Sequence, residues 1–335
     1  MLNPFESSDA FNLVSMTQAI NFLPNNYGRV RELSLFPDKG ITTRTVVVEE
    51  KNGVLNLLQT LPVGAPGQQN KLGRRKVRSF MVPHIPMDDV IFPSEFNGVR
   101  AFGQENVLET LSGVMNDHLQ TAKNKFAITL EHLRMGALKG IILDADGSQL
   151  YNLYSEFRIP AKTIDFDLGT SGTIVRDKCV ELLRYMEDNL LGETMSGVRV
   201  LCSADFFDAL VSHTSVSSVY QNTLAAAQVM GADLRKGFLF AGVTFEEYRG
   251  SASDADGNIR KFIEDDEAHA FPMGTQECFK TIYAPADFLE TVNTVGLPMY
   301  AKQQMRDWNR GVDLHIQSNP LPICFRPALL VKLLK

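Results

Sequence analysis

The chain has 335 residues, 44% hydrophobic and 21% charged, enough to bury an ordinary core divided between two domains. A net charge of −6 and a pI near 5.6 argue against a dedicated nucleic-acid binder, and no uncharged apolar run approaches the ~18 residues of a membrane span. The start, MLNPFESSDAF, lacks the basic and apolar regions of a secretory leader. Cys179, Cys202, Cys278 and Cys324 are scattered without a CxxC pair, which reads as reduced, buried thiols rather than a disulfide framework or a zinc site.

Residues 1–40 read as an irregular arm broken by Pro4, Pro24, Gly28, Pro37 and Gly40, with a short helix around Thr17–Phe22. Thr42–Glu50 is a β-branched strand, Asn52-Gly53 a hairpin turn, and Val54–Leu61 its expected partner. Pro62–Phe80 follows, with three glycines, two prolines and five basic residues, too little apolar surface for a core of its own. Between Lys51 and Met87 there is no Asp or Glu, and Lys51, Lys71, Arg74, Arg75, Lys76 and Arg78 give +6. Because the whole chain is at −6, the rest carries −12. Three readings fit this loop: a solvated connection, a nucleic-acid contact weakened by the lack of interleaved aromatics, or an extended β-rich arm that orders on an acidic neighbour.

Gln104–Lys139 reads as one long helix. Leu111, Met115, Leu119, Ala122, Phe126, Leu130, Leu133 and Ala137 fall on one stripe, while Lys123, Glu131 and Arg134 lie mostly off it. Acids open it, bases close it, Gly140 stops it, and its length is roughly 54 Å, the reach of a strut. Ile141–Leu143 and Gln149–Leu153 flank an Asp-Ala-Asp-Gly turn at 144–147. The same tetrapeptide returns at 254–257 between Thr244–Arg249 and Ile259–Ile263. Gly stands at its fourth position and no late Glu follows, so neither copy is an EF-hand.

From Thr173 the chain alternates between helix and strand. Ile174–Leu191 is a helix with Val175, Cys179, Leu182, Leu183 and Met186 on one face, and Val198–Cys202 is a buried strand. Ser203 caps a helix over Ala204–Val211, Val219–Met230 is another helix, and Phe238–Tyr248 is a strand ending in a turn. Glu264, Asp265, Asp266 and Glu267 form the densest acidic run, by default a solvated surface. A short helix at Ala286–Val292 precedes the extended pieces Met299–Met305, Val312–Gln317, Ile323–Phe325 and Leu329–Leu333, which Pro320, Pro322 and Pro327 confine to edges or short runs.

The chain has no GxSxG, P-loop, GxGxxG or HExxH, and its six histidines show no ligand spacing, so no catalytic residue, metal site or cofactor is expected. His118 and His132 read as packing or surface residues. One segment, Ile164–Thr173 (IDFDLGTSGT), is similar to the phosphate-binding hairpin of the actin and sugar-kinase ATPases. That likeness gives the alternative function: Asp165 or Asp167 would hold Mg²⁺ through water, with Gly169, Thr170 and Gly172 offering backbone N–H groups. The competing reading is a turn whose Thr or Ser caps the next helix.

The order of parts resembles the lambda-type major capsid proteins of tailed bacteriophages over nearly the whole chain. The features are an arm, an extended basic loop at Val54–Pro86, a spine helix at Gln104–Lys139 with a hairpin behind it, an α/β insertion at Ser171–Val295 and returning strands. HIQSNPLPICFRPALLVKL (His315–Leu333) and PADFLETVNTVGLPMYAK (Pro285–Lys302) are similar to that family's closing pattern. The resemblance implies an α+β fold with an N-terminal arm at 1–41 and a hairpin and basic loop at 42–86. A peripheral domain at 87–170 and an axial domain at 171–295 would follow, and strands of 296–335 would return to the peripheral domain. It implies a non-enzymatic subunit of an icosahedral head, self-assembled into hexamers and pentamers around double-stranded DNA. Scaffolding protein and portal would be its assembly partners, often joined by a decoration protein. Packaged DNA would be touched only non-specifically and no membrane would be involved. The location would be the virion capsid, and the bacterial cytoplasm during assembly. Within that frame Lys71, Arg74, Arg75, Lys76 and Arg78 are expected to meet carboxylates of a neighbouring copy, with Glu264, Asp265, Asp266 and Glu267 as candidates.

Overall fold

The spine helix forms where the periodic stripe demands it. The computed structural model describes residues 13–22, 28–51, 75–95, 111–230, 233–253 and 257–335, and within them the helix runs Leu111–Lys139, about 44 Å. The expected first turns at 104–110, the Asn52-Gly53 turn and the Val54–Leu61 strand lie outside the described residues. Gly140 closes the helix at φ 79°, and a Cβ there would lie 2.3 Å from the Tyr154 ring, so two separate constraints call for glycine.

The chain divides into two compact units. The first comprises residues 1–46, 81–135 and 280–323. Its core joins the helix Leu13–Phe22 (Met16, Ile20), the spine stripe (Met115, Leu119, Ala122, Phe126) and an antiparallel sheet ordered Tyr300–Met305, Val312–Ser318, Ile85–Ile91 (Ala301, Leu314, Ile316). A second sheet is ordered Asp38–Gly40, Phe279–Tyr283, Pro320–Cys324. Pro320 and Pro322 thus sit on an edge strand, where a missing N–H does least harm. Gly40 and Gly296 permit a close backbone approach: a Cβ on Gly296 would lie 2.1 Å from the Tyr283 carbonyl oxygen.

The expected polarity of the spine is corrected here. Lys123, Glu131 and Arg134 are each only 5% exposed. Lys123 Nζ donates to the carbonyls of Ile20 and Asn21 at 2.7 and 3.0 Å, capping the carbonyl end of the first helix. Glu131 accepts the Val30 backbone N–H at 2.8 Å. The Arg134 guanidinium reaches the Thr281 hydroxyl and the Asp38 carboxylate. Segments distant in sequence cover what periodicity alone assigns to solvent.

The second unit comprises residues 47–80, 136–279 and 324–335. Its six-stranded sheet runs Lys162–Asp165, Val331–Leu334, Glu267–Met273, Gly197–Cys202, Val243–Glu247, Phe238–Phe240. Phe166 packs against Phe206 and Phe245, and the Val175–Asn189 helix buries Val175, Cys179, Leu182 and Met186, as its spacing predicts. All four cysteines are free and buried. The extended piece expected at Leu329–Leu333 among the returning strands runs Val331–Leu334 and lies inside this sheet, parallel to Lys162–Asp165 and antiparallel to Glu267–Met273.

Other boundaries differ for local reasons. Phe238–Tyr248 is a hairpin rather than one strand, because Ala241 and Gly242 both take positive φ (46° and 84°) in a two-residue turn. The hairpin around residues 254–257 uses Ser251–Ser253 and Ile259–Lys261. The helix expected at Ala286–Val292 shrinks to a 3-10 turn at Leu289–Thr291, and that expected from Val219 begins earlier, at Thr214. Arg75–Met81 is extended, and it is this strand that pairs with Thr45–Lys51, the strand whose expected partner was Val54–Leu61.

Candidate functional site

The basic loop enters the described structure on the strand Arg75–Met81. Lys71 and Arg74 lie outside the described residues, as do the side chains of Arg75 and Lys76. Arg78 is held by its own chain: Nε donates to the Glu156 carbonyl at 2.7 Å, Nη2 reaches the Phe157 carbonyl at 3.4 Å, and the guanidinium stacks 4.7 Å from the Phe157 ring centre. Phe80, two residues on, packs on Tyr151 and Phe157. This arrangement anchors the root of the loop.

The acidic run is a turn leading into a strand. Glu264, Asp265 and Asp266 are exposed and Glu267 is half-buried at the start of Glu267–Met273. Lys261 Nζ donates to Asp265 at 2.7–2.8 Å, Lys335 to Asp266 at 2.8 Å, and Lys332 to Glu267. Three of the four carboxylates thus have lysine partners in their own chain. His269 is buried with its Nε2 3.8 Å from Glu267, and burial, followed by the charges of Lys139 and Lys332, drives its pKa down to about 3.

The Ile164–Thr173 segment does not form a phosphate-binding hairpin, and the ATPase alternative is not supported. Its strand, Lys162–Asp165, pairs in parallel with Val331–Leu334, and a turn leads straight into the next helix. The hydroxyls of Thr170 and Thr173 both donate to the Asp167 carboxylate at 2.9 Å, and these bonds hold its pKa below the usual carboxylate value. His213 Nε2 meets the Thr170 carbonyl at 3.0 Å. The oxygens and hydroxyls that a nucleotide site needs are therefore engaged with one another. Ile174 occupies the N-cap without a side-chain bond, so the expected Thr or Ser cap is also absent at that position. Among the described residues no group of three or more His, Cys, Asp or Glu is arranged to hold a metal ion, and no helix is long and apolar enough to cross a membrane.

Two features of the first unit escape sequence reasoning. His118 on the spine places its ring nitrogens 2.7 Å from Asp89 and 2.8 Å from Glu95. Only an imidazolium donates to both. Burial opposes that charge, but the two carboxylate hydrogen bonds outweigh it and the pKa is raised. The spine is thereby clamped to the strand Ile85–Ile91 and the turn after it. The second feature is the tip of the Tyr300–Ser318 hairpin, where Trp308, the sole tryptophan, is 89% exposed at φ 63°. A turn-rich RDWNRG stretch between two strands is the sequence signal that could have marked it. A groove of about 670 Å³ on this sheet carries mixed charge, but Asp88 meets His315, Lys302 meets Glu290 and Arg306 meets Asp313. Side chains already paired with one another in this way do not make a ready small-molecule site.

Among the described residues, then, many charged groups hold the chain's own segments together, and none of these clusters forms a catalytic or metal site. Comparison with known proteins agrees. Residues 12–335 match the family model described as phage major capsid protein E. The chain is 31% identical to the major capsid protein of Salmonella phage Felix O1 (isolate Felix O1-VT1), over 99% of this chain and 98% of that one. It is 29% identical to the major capsid protein of Pseudomonas phage KPP10, over 96% of each. Its fold is similar to the mature capsid subunit of bacteriophage PhiM1, with a TM-score of 0.52 at 11% identity over 93% of this chain and 88% of that one. Agreement that runs from the first helix to the last strand places this chain in the phage major capsid protein E family.

Proposed function

We propose that copies of this major capsid protein close into an icosahedral head built of hexamers and pentamers around double-stranded DNA. A scaffolding protein and a portal would guide assembly in the host cytoplasm, and a decoration protein would bind the finished shell. The near full-length family match carries the reading. A positive charge concentrated in one loop on an acidic chain adds support, since that polarity favours pairing between subunits over adhesion to DNA. The first unit would serve as the peripheral domain and most of the second as the axial domain.

Arg78 is already engaged within its own chain, and so are Asp265, Asp266 and Glu267. The contact to a neighbour therefore falls to Lys71, Arg74, Arg75 and Lys76, with Glu264 the acid of its run left for it. Electron microscopy of the protein expressed with its scaffold tests both levels. Closed shells are expected from the wild type, and folded subunits without shells from Arg74→Glu/Arg75→Glu. Normal shells from that variant remove the role of the loop, whereas a wild type that stays monomeric removes the function.

A further inference from the structure

The first unit has another cavity, of about 410 Å³, among its first helix, the short helix Arg29–Glu32, the strand Asp38–Gly40 and the spine. That volume lies within the roughly 300–1,000 Å³ of small-molecule sites. Three cations line it, Arg31, Lys123 and Arg134, against one acid, Asp38. In the groove beside Asp88, Lys302 and Arg306 each have an acid of their own, whereas here cations outnumber acids.

The surplus follows from how each cation is held. Lys123 bonds the carbonyls that end the first helix, and a carbonyl oxygen carries no formal charge, so the ammonium charge stands. Burial and then Arg31 lower its pKa, as expected of a cation set beside another. Arg134 is buried, with Nε and Nη2 given to Thr281 and Asp38, and its Nη1 carries no hydrogen bond among the described residues. Asp38 is shared between Arg134 and the Tyr283 hydroxyl. Glu131, the buried acid of the spine, is engaged with the Val30 N–H and does not line the cavity. The Arg31 guanidinium forms no hydrogen bond or ion pair among the described residues, although its charge reaches both Asp38 and Lys123.

We infer that this cavity binds a phosphate group, as the free ion or as the phosphate end of a small metabolite, between Arg31 and the Nη1 of Arg134. Guanidinium groups match phosphate oxygens with paired N–H donors. A phosphate carrying close to two negative charges balances the surplus, and a carboxylate balances only half of it. The bound group joins the helix Arg29–Glu32 to the spine within one molecule, so the inference stands apart from the shell reading.

Titration calorimetry of purified full-length subunits with inorganic phosphate at a pH of about 8, against sodium chloride at matched ionic strength, tests the site. The expected result is saturation at one phosphate per chain, weakened about tenfold or more in Arg31→Ala, a substitution at an exposed residue. Gln18→Glu, which adds an acid to the exposed part of the lining, should weaken binding too. Asp38→Asn should tighten it, a gain that a merely structural role for these residues would not produce. Glycerol 3-phosphate separates the two sources: tighter binding than inorganic phosphate assigns the site to a phosphate ester, and weaker binding assigns it to the free ion. Neither heat nor a rise in thermal midpoint beyond the chloride control overturns the inference, as does equal affinity in wild type and Arg31→Ala. Acetate bound as tightly as phosphate overturns the choice of ligand.

Discussion

Around the spine helix, Lys123, Glu131 and Arg134 are buried and bonded to segments from near residues 20–38 and 281, so charge joins parts of the chain that are far apart in sequence. In the six-stranded-sheet unit, phenylalanines fill the centre, and lysine–carboxylate pairs line the turn that leads into Glu267–Met273. The histidines follow the same division: His118 is held charged between two acids, while His269 is kept neutral by burial and two lysines. Both units keep apolar centres, and the second also buries the Glu246 carboxylate against Arg199, so the difference lies in what the buried charges join: around the spine they tie chain segments far apart in sequence, which makes those ties unforgiving of a lost partner.

The largest expected effect comes from Arg134→Ala. It strips the buried Thr281 hydroxyl and the half-exposed Asp38 carboxylate of their partner and should cost about 2–3 kcal/mol, read as a lower urea midpoint with hydrogen exchange opening first in 38–40 and 280–283. A cost below ~1 kcal/mol would mean that charge does not tie this core. Acid comes next. His269 has a folded pKa below its ordinary 6.5, so the unfolded chain binds the extra proton, and stability should fall as pH drops below about 6.5, towards 3. The slope approaches ~1.4 kcal/mol per pH unit, and His269→Gln should flatten it.

His118 has the opposite sign. Its folded pKa is raised, so its contribution is complete below about 6.5 and is lost as pH rises through the folded value. Loss of the clamp should cost about 1–2 kcal/mol, seen as faster exchange in 85–95 and 111–122 after correction for intrinsic rates. An alkaline response confined to the sheet unit would contradict the division drawn here. Smallest of all is Asp265→Asn at the exposed pair with Lys261, where an unchanged thermal midpoint is expected.

The spine, the Val175–Asn189 helix and the hairpin at residues 141–152 are legible because period and turn chemistry are local. The burial of Glu131 is not, since the group it serves, the Val30 N–H, lies 101 residues away. Nor is the partner of Thr45–Lys51, since the Asn52-Gly53 turn points to the strand next in sequence and not to Arg75–Met81. An Ala-Gly turn at 241–242 carries none of the Asn-Gly signal that marks most tight hairpins. For the acidic run, the composition is plain and Lys261 stands four residues from Asp265, but the other two lysines that meet it are at 332 and 335, out of range of any local pattern. Order of elements is thus readable one stretch at a time, and pairing is not.

The strand Val331–Leu334 fills an inner place between Lys162–Asp165 and Glu267–Met273. On a ribosome, at ~5–20 residues per second, it emerges roughly 10–30 s after its parallel partner. During that interval the partner waits with an open flank, and the half-made polypeptide has no finished outline to offer other molecules. Folding of this sheet therefore waits on translation, because its inner strand is made roughly 165 residues after the partner it joins.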